Sequence, residues 1–321
     1  MARSTSPNVT VPDSPVAAAD GPTGMSEPRS AAVNLFVSLR PEQWTKNLLV
    51  FAAVIFAQEL FNRDAVLTSI AAFLIFCALS GVVYLVNDVM DRQSDRHHPI
   101  KRHRPIASGR LSPNTALAAA SMLCAASLAA AFAVNRNFGI VATTYVALQA
   151  FYSGPLKHVV IVDVLTLAIG FVLRAVAGAV AIDVVISHWL FVCTILLASF
   201  IALAKRRHEL LLLGEEASGH RRILGEYSPY LLDQMIVIVA SATLIAYIFY
   251  TISTETVAKF GTQWLGLTIP FPLYGVFRYL YLVHRREGGG SPSDLLLNDR
   301  PLLGCVVLWV IAVVVIIYEP F

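Results

Sequence analysis

The chain has 321 residues, of which 56% are hydrophobic and only 14% charged, with a formal net charge of +3 and a mean hydropathy of +0.66. Such a composition is too apolar and too charge-poor for a soluble domain and indicates a polytopic membrane protein. It supports neither a disulfide framework nor a zinc site, because Cys77, Cys124, Cys193 and Cys305 fall in separate apolar runs, and nothing in it suggests nucleic-acid binding.

Residues 1–32 are rich in Ser, Pro, Ala and Gly without apolar period and are expected to form a disordered cytoplasmic tail, followed by one transmembrane domain over 33–321. The short run Val33 to Arg40 suits the membrane interface, and Trp44 in the following Pro-Glu-Gln-Trp-Thr-Lys-Asn suits an interfacial anchor. Lys46 in that stretch is either a ligand for an anion or an ordinary topology-setting cation.

Nine apolar runs follow, at 45–62, 65–90, 113–134, 137–152, 159–182, 188–206, 229–252, 268–284 and 301–318. Most reach the roughly 20 residues that a helix needs to cross the hydrocarbon, and none alternates as a barrel strand does. The fold class is therefore all-α, with about nine transmembrane helices. The first run is the weakest, because Gln58 and Glu59 interrupt it. With the N-terminus in the cytoplasm, most of the 24 lysines and arginines lie on that side, the exceptions being Arg63, Arg136, Lys259, Arg174 and Arg278.

The second run ends in Asn87-Asp88-Val89-Met90-Asp91-Arg92-Gln93-Ser94-Asp95. At 3.6 residues per turn Asp88, Asp91 and Asp95 fall on one helix face, with Asn87 beside them. A solvated acidic end, or pairing with Arg92 and Arg96, is one explanation. The other is a shared Mg²⁺, which takes oxygen ligands and bridges to phosphates. The neighbouring cations Lys101, Arg102 and Arg104 favour the second, since they suit phosphate. His97, His98 and His103 also raise a transition-metal site, which would leave those cations unexplained.

Further along, Tyr152 and Lys157 mark a tight cytoplasmic turn, and Asp163 enters the next run, where it needs a partner such as Lys157 or Arg174 or else faces a common cavity. The sixth run ends in Lys205-Arg206-Arg207-His208-Glu209, with Lys205 and Glu209 four apart on one face. Arg278 lies near enough to a cytoplasmic end to snorkel, and the Gly288-Gly289-Gly290 loop precedes Asp299-Arg300-Pro301 at the start of the last run.

The pairing of Asn-Asp-x-x-Asp-x-x-x-Asp with a following Arg-Pro-Ile-Ala-Ser-Gly resembles the UbiA superfamily of intramembrane prenyltransferases, and the resemblance covers Leu39 to Tyr318. It implies a bundle of nine helices around a cavity open to the cytoplasm and to lipid, with Asp88, Asp91 and Asp95 binding Mg²⁺ and a diphosphate. Members acting on aromatic acceptors carry a second acidic motif after the sixth helix, where this chain has Lys205, Arg206, Arg207 and Glu209. That departure is similar to the branch that moves a 5-phosphoribosyl group from phosphoribosyl pyrophosphate to a polyprenyl (decaprenyl) phosphate, for cell-envelope arabinan.

On this resemblance Asp88, Asp91 and Asp95 are the catalytic metal ligands. Asn87 orients them. Lys46, Asn47, Lys101, Arg104, Lys157, Lys205 and Arg206 surround the phosphates, Glu209 belongs to the same substrate-binding set, and Tyr152 and Asp163 approach the ribose. The expected location is the cell membrane with the site on the cytoplasmic side, and assembly as a homo-oligomer stays open. An aromatic prenyltransferase and, from another class, a polytopic transporter are the competing readings.

Overall fold

The computed structural model describes residues 30–185, 187–213, 222–285 and 292–319. Most of the expected tail, Glu215, Glu216, Arg221 and the Gly288–Gly290 loop lie outside the described residues. All regular structure among the described residues is helical.

The first helix, α1 (Ala31–Ser38), is followed by a long 3₁₀ stretch, Pro41–Phe51, that passes into the single-turn α2 (Ala52–Phe56). Then come α3 (Arg63–Met90), α4 (Arg92–His97), α5 (Pro113–Val134), α6 (Arg136–Ser153), α7 (Val162–Ala181) and α8 (His188–Leu213). The remainder is α9 (Pro229–Ile252), α10 (Thr254–Phe260), α11 (Pro270–Arg285), α12 (Pro292–Asn298) and α13 (Arg300–Tyr318).

Each of the nine apolar runs contains helix. Among the described residues six helices, α3, α5, α7, α8, α9 and α13, are long and apolar enough to cross a membrane, so that measure does not confirm the count of nine spans. Each shortfall has a local cause. The first run is broken into 3₁₀ and α pieces and stops at Gln58, whose φ is 61° and whose amide reaches the carbonyl of Ile317. Helix α6 carries Arg136, Asn137, Thr143, Thr144 and Gln149, and α11 has only 16 residues.

Helix starts follow the capping chemistry of the sequence. Asn62 caps α3 and Asn135 caps α6, while Ser112, Ser228 and Asp299 cap α5, α9 and α13, each with a proline in the first turn. Asn135 also donates to the carbonyl oxygens of Val180 and Ala181, tying the start of α6 to the end of α7.

Neighbours in sequence pack as neighbours in space from α5 through α9, with α5 also against α3. The 3₁₀ stretch inserts between α3 and α7. That insertion depends on Gly178: a Cβ there would stand 2.0 Å from the carbonyl oxygen of Val50, a backbone atom that cannot swing aside. Val50, Phe76, Phe138 and Tyr145 form the core around it, and a second core joins α7, α8, α9 and α11 through Val164, Phe200, Leu203, Leu232 and Tyr279.

Side-chain bonds identify a common end of the bundle. Ser153 at the end of α6 donates to Asn87 near the end of α3, Arg207 of α8 pairs with Asp233 of α9, and Arg278 of α11 pairs with Asp299 ahead of α13. Arg278 is thus held at 2.8 Å by a carboxylate rather than snorkelling alone. The sequence-predicted site residues from α3, α6, α7 and α8 all lie toward this end.

Candidate active site at one end of the bundle

Cys77, Ser80, Tyr84 and Asp88 recur at helical spacing and form the inner stripe of α3, with Asp88 at its mouth. The helix stops at Met90, Asp91 occupies the junction with φ −88° and ψ 5°, and α4 resumes at Arg92. The three aspartates therefore do not share one surface. Asp88 and Asp95 are buried, at 2% and 3% exposure, whereas Asp91 is exposed.

Arg104 joins the two buried carboxylates. Its Nη1 lies 3.1 Å from Asp88 Oδ1 and 2.6 Å from Asp95 Oδ2, and Arg40 forms a second, very short bond to Asp88. Neither Arg92 nor Arg96 takes part: among the described residues they make no ion pair, and Arg96 Nε donates to the carbonyl of Ala107.

The Arg-Pro-Ile-Ala-Ser-Gly sequence explains how Arg104 is aimed. Ile106 is fully buried and Ala107 and Leu111 nearly so, packed on Val82, Leu85 and Ala116 of α3 and α5. Ser108 Oγ donates back to the Arg104 carbonyl at 2.8 Å, and Gly109, at φ 82°, reverses the chain. The apolar anchor fixes the loop, and the guanidinium before it faces the carboxylates.

Arg40 was not singled out for the site. It has φ 53°, a left-handed conformation in a non-glycine residue directly before Pro41, and its guanidinium lies 4.7 Å from the centre of the Tyr84 ring. A strained arginine held over an aromatic ring and a buried carboxylate is a functional signal in the structure. In the sequence Arg40 only opens the Arg-Pro-Glu-Gln-Trp-Thr-Lys-Asn stretch, with no local pattern that gives it a role.

A second buried assembly closes the α7–α8 side. Asp163 is fully buried and Arg206 is 1% exposed. Arg206 Nε lies 3.4 Å from Asp163 Oδ2, its Nη1 lies 2.5 Å from Glu209, and Tyr227 donates to Asp163 at 3.0 Å while accepting from the Ile161 amide at 2.7 Å. Burial, reinforced by the Asp163 charge against relief from the Ile161 amide, pushes the Tyr227 hydroxyl up to about 12. Tyr227 therefore remains a donor across the physiological range. It lies far from Asp163 in sequence, and no local pattern marked it.

Arg174 is not the partner of Asp163. It turns instead to Asn47 and Tyr145, both in a separate cluster with Ser80 and Cys77. Of the other expected residues, Lys46 donates to Gln43 at 2.6 Å and Lys101 is exposed on a short turn. Tyr152 and Lys157 are half-buried, and Lys205 reaches Glu209 at 4.0 Å, on the shared face its spacing implied.

Among the described residues no three His, Cys, Asp or Glu side chains converge to hold a metal ion. The donor set nevertheless fits a hard cation. Asn87, Asp88, Asp91 and Asp95 offer oxygen only, and a guanidinium nitrogen already stands between Asp88 and Asp95 where positive charge is required.

Comparison with known proteins bears on the family and the fold. The model of the UbiA prenyltransferase family matches residues 48–296. Two curated decaprenyl-phosphate phosphoribosyltransferases are similar over most of their length. That of Corynebacterium glutamicum is 32% identical over 91% of this chain and 89% of its own. The Mycolicibacterium smegmatis protein is also 32% identical, over 88% of this chain and 92% of its own. A UbiA homologue from Archaeoglobus fulgidus, solved with DMAPP and Mg²⁺, superposes with a TM-score of 0.69 over 90% of this chain and all of that one, at 19% identity. With the aspartate motif, the helical bundle and the family match coinciding on the same residues, the chain belongs to the UbiA prenyltransferase family and is a multi-pass membrane transferase.

Proposed function

We propose that the protein transfers a 5-phosphoribosyl group from phosphoribosyl pyrophosphate to a polyprenyl phosphate, with release of pyrophosphate, at a site facing the cytoplasm. The observation that carries this reading is Arg104 held between Asp88 and Asp95 with Arg40 alongside, which puts metal-competent oxygens and phosphate-competent guanidiniums in one place. The names of the curated relatives support the substrates. The bias of Lys and Arg toward one set of loops supports the cytoplasmic placement.

Asp88, Asp91 and Asp95, oriented by Asn87, are the residues that would hold Mg²⁺, which when bound neutralises the departing pyrophosphate. Arg104 and Arg40 then exchange carboxylate oxygens for phosphate oxygens, with Lys101, Lys157 and Lys205 as further cations around the mouth and Tyr152 beside the sugar. An oxygen of the acceptor phosphate attacks C1 of the ribose, the C1–O bond breaks, and pyrophosphate leaves with the electron pair. The attacking group is already anionic, so no side chain has to remove a proton. In-line displacement inverts C1. Arg206, buried against Asp163 and Glu209, acts in this reading as the brace that shapes the rim, not as a phosphate ligand.

The test is pyrophosphate release by the purified protein in nanodiscs, each time with Mg²⁺ and with EDTA. One mixture contains phosphoribosyl pyrophosphate and polyprenyl phosphate, the other polyprenyl diphosphate and 4-hydroxybenzoate. Mg²⁺-dependent release from the first alone, with a phosphoribosylated lipid by mass spectrometry, is expected. Release from the second alone would assign the site to aromatic prenylation, and release from neither would overturn the proposal.

A further inference from the structure

Arg174 lies within the membrane-spanning helix α7 and is 6% exposed. Its Nε donates to Asn47 Oδ1 at 2.7 Å, its Nη2 to the Tyr145 hydroxyl at 2.8 Å and its Nη1 to the Gly170 carbonyl at 2.9 Å. All three acceptors are neutral. Among the described residues no carboxylate pairs with this guanidinium, which has five N–H donors and uses three here. An ionisable group at this depth is expensive and ordinarily meets an opposite charge.

The surroundings add positive charge. Arg174 and Arg40 both act on Lys46, each more strongly than the carboxylates of Asp294 and Glu42 that oppose them there. Of the three, Arg40 has Asp88, whereas the bond found for Lys46 is to the neutral amide of Gln43. Gly170 lets an amide donor close on the guanidinium: a Cβ there would crowd Gln149 Nε2 at 3.1 Å and stand 3.7 Å from Arg174 Nη1, so both nitrogens come to the same bare stretch of backbone. Ser80 locks the cluster to α3, at 3.3 Å from Asn47 Oδ1 and 3.2 Å from the Tyr145 hydroxyl. At 1.5 Å per residue, Ser80 lies about 12 Å deeper along the helix than Asp88. A phosphate at the aspartates does not extend that far.

We propose that Arg174, with Lys46 and the Gln149 amide, forms a second phosphate seat inside the bundle that takes a phosphomonoester dianion. Asn47 and Tyr145 hold the guanidinium in place, and its remaining N–H donors receive the phosphate oxygens. The proposal deepens the phosphoribosyl-transfer reading and rests on it for the ligand's identity. The phosphomonoester is either the 5-phosphate of the donor or the phosphate of the lipid acceptor, two sources of one chemistry.

The experiment uses full-length wild type, R174Q and R174K in detergent, unfolded thermally with and without ribose 5-phosphate or farnesyl phosphate. One probe at least should raise the wild-type Tm, and the probe that does so names the source. R174Q should lose that shift, and R174K should keep a smaller one, because the charge remains but the fork does not. In turnover, KM for the matching substrate should rise about tenfold or more in R174Q, with a smaller fall in kcat. A brace without ligand would instead lower the basal Tm and leave the probe shift intact, which would overturn the proposal, as would a wild type that neither probe stabilises. Should R174Q fail to fold, an undiminished probe shift in R174K has the same force. Stabilisation that depends on Arg174, without pyrophosphate release from phosphoribosyl pyrophosphate, would leave the seat standing and remove the phosphoribosyl reading.

Discussion

Two carboxylate–guanidinium assemblies stand at the same end of the bundle, and they are built differently. Around Asp88 and Asp95 the carboxylates are buried, but the arginines that meet them, Arg40 and Arg104, keep 22% and 27% of their side chains exposed. Around Asp163 both partners are sealed, Arg206 at 1% and Asp163 at 0%. Partly open cations supplied by a loop and a 3₁₀ stretch can change partners when an anion arrives. A pair sealed between two helices cannot do so without leaving a charge stranded, which is expensive in a low-dielectric interior. The same chemistry is a binding device in one place and a brace in the other.

The largest expected effect tests the brace. R206A should destabilise the protein by about 3–5 kcal/mol, because it leaves Asp163 buried without its cation. Unfolding in a detergent titration measures this, and the folded fraction should retain a wild-type KM for phosphoribosyl pyrophosphate. Wild-type stability with a raised KM would move Arg206 to the substrate. Next in size, D91A should reduce kcat by about two to three orders of magnitude while leaving stability unchanged, since Asp91 is exposed and outside both ion-pair assemblies. Retained turnover would remove Asp91 from the metal ligands.

R104A sharpens the contrast from the open side. It should raise KM for phosphoribosyl pyrophosphate about tenfold. Its stability cost should be about 1–3 kcal/mol, below that of R206A, because the carboxylates left behind are buried but the position vacated by the partly exposed guanidinium opens to water. A loss as large as that of R206A would make the two assemblies alike.

Much of this arrangement is legible in the sequence, and the limits have physical causes. The Arg-Pro-Ile loop and the helix caps are local patterns that the structure carries as the sequence lays them out, whereas the aspartate motif loses its common face at the helix break after Met90. Lys205 and Glu209 meet as their spacing implies. The sequence left Asp163 with two candidate cations and a cavity, whereas the structure pairs it with Arg206 and Tyr227, because tertiary pairing at long separation leaves no periodic trace. Arg40 goes unassigned in the sequence for the same reason, and Arg174, a candidate partner for Asp163 there, is found on Asn47 and Tyr145 instead. The count of nine spans is not confirmed: the run that Gln58 and Glu59 interrupt breaks into 3₁₀ and α pieces packed against Gly178, which apolar length alone does not reveal.

Tyr227 carries a smaller effect with a defined pH signature. Y227F should cost about 1 kcal/mol by removing the donor to Asp163 and the acceptor for the Ile161 amide. With the folded-state hydroxyl raised to about 12 from an ordinary value near 10, the folded state binds more protons between those values. Stability of the wild type should therefore be flat up to about pH 10 and fall from there to about pH 12, relative to Y227F. A difference that begins to close near neutral pH would mean that the hydroxyl is not sealed with Asp163.

The smallest effect is also the most discriminating, because Lys205 stands at the edge of the brace with 38% of its side chain exposed. If it serves only Glu209, at 4.0 Å and in reach of solvent, K205A removes a screened surface pair and leaves KM for both substrates alone. If it reaches toward a substrate phosphate, KM for that substrate rises by two- to fivefold, about 0.4–1 kcal/mol, with kcat and Tm unchanged. The second outcome is expected. The ammonium and Arg206 lie side by side on α8, yet Arg206 is sealed against two carboxylates within the fold while Lys205 keeps 38% of its side chain exposed, so Lys205 is the one of the two that a substrate phosphate can approach. An unchanged KM would leave Lys205 outside the site and Arg104 and Arg40 as the principal fixed cations around the aspartates.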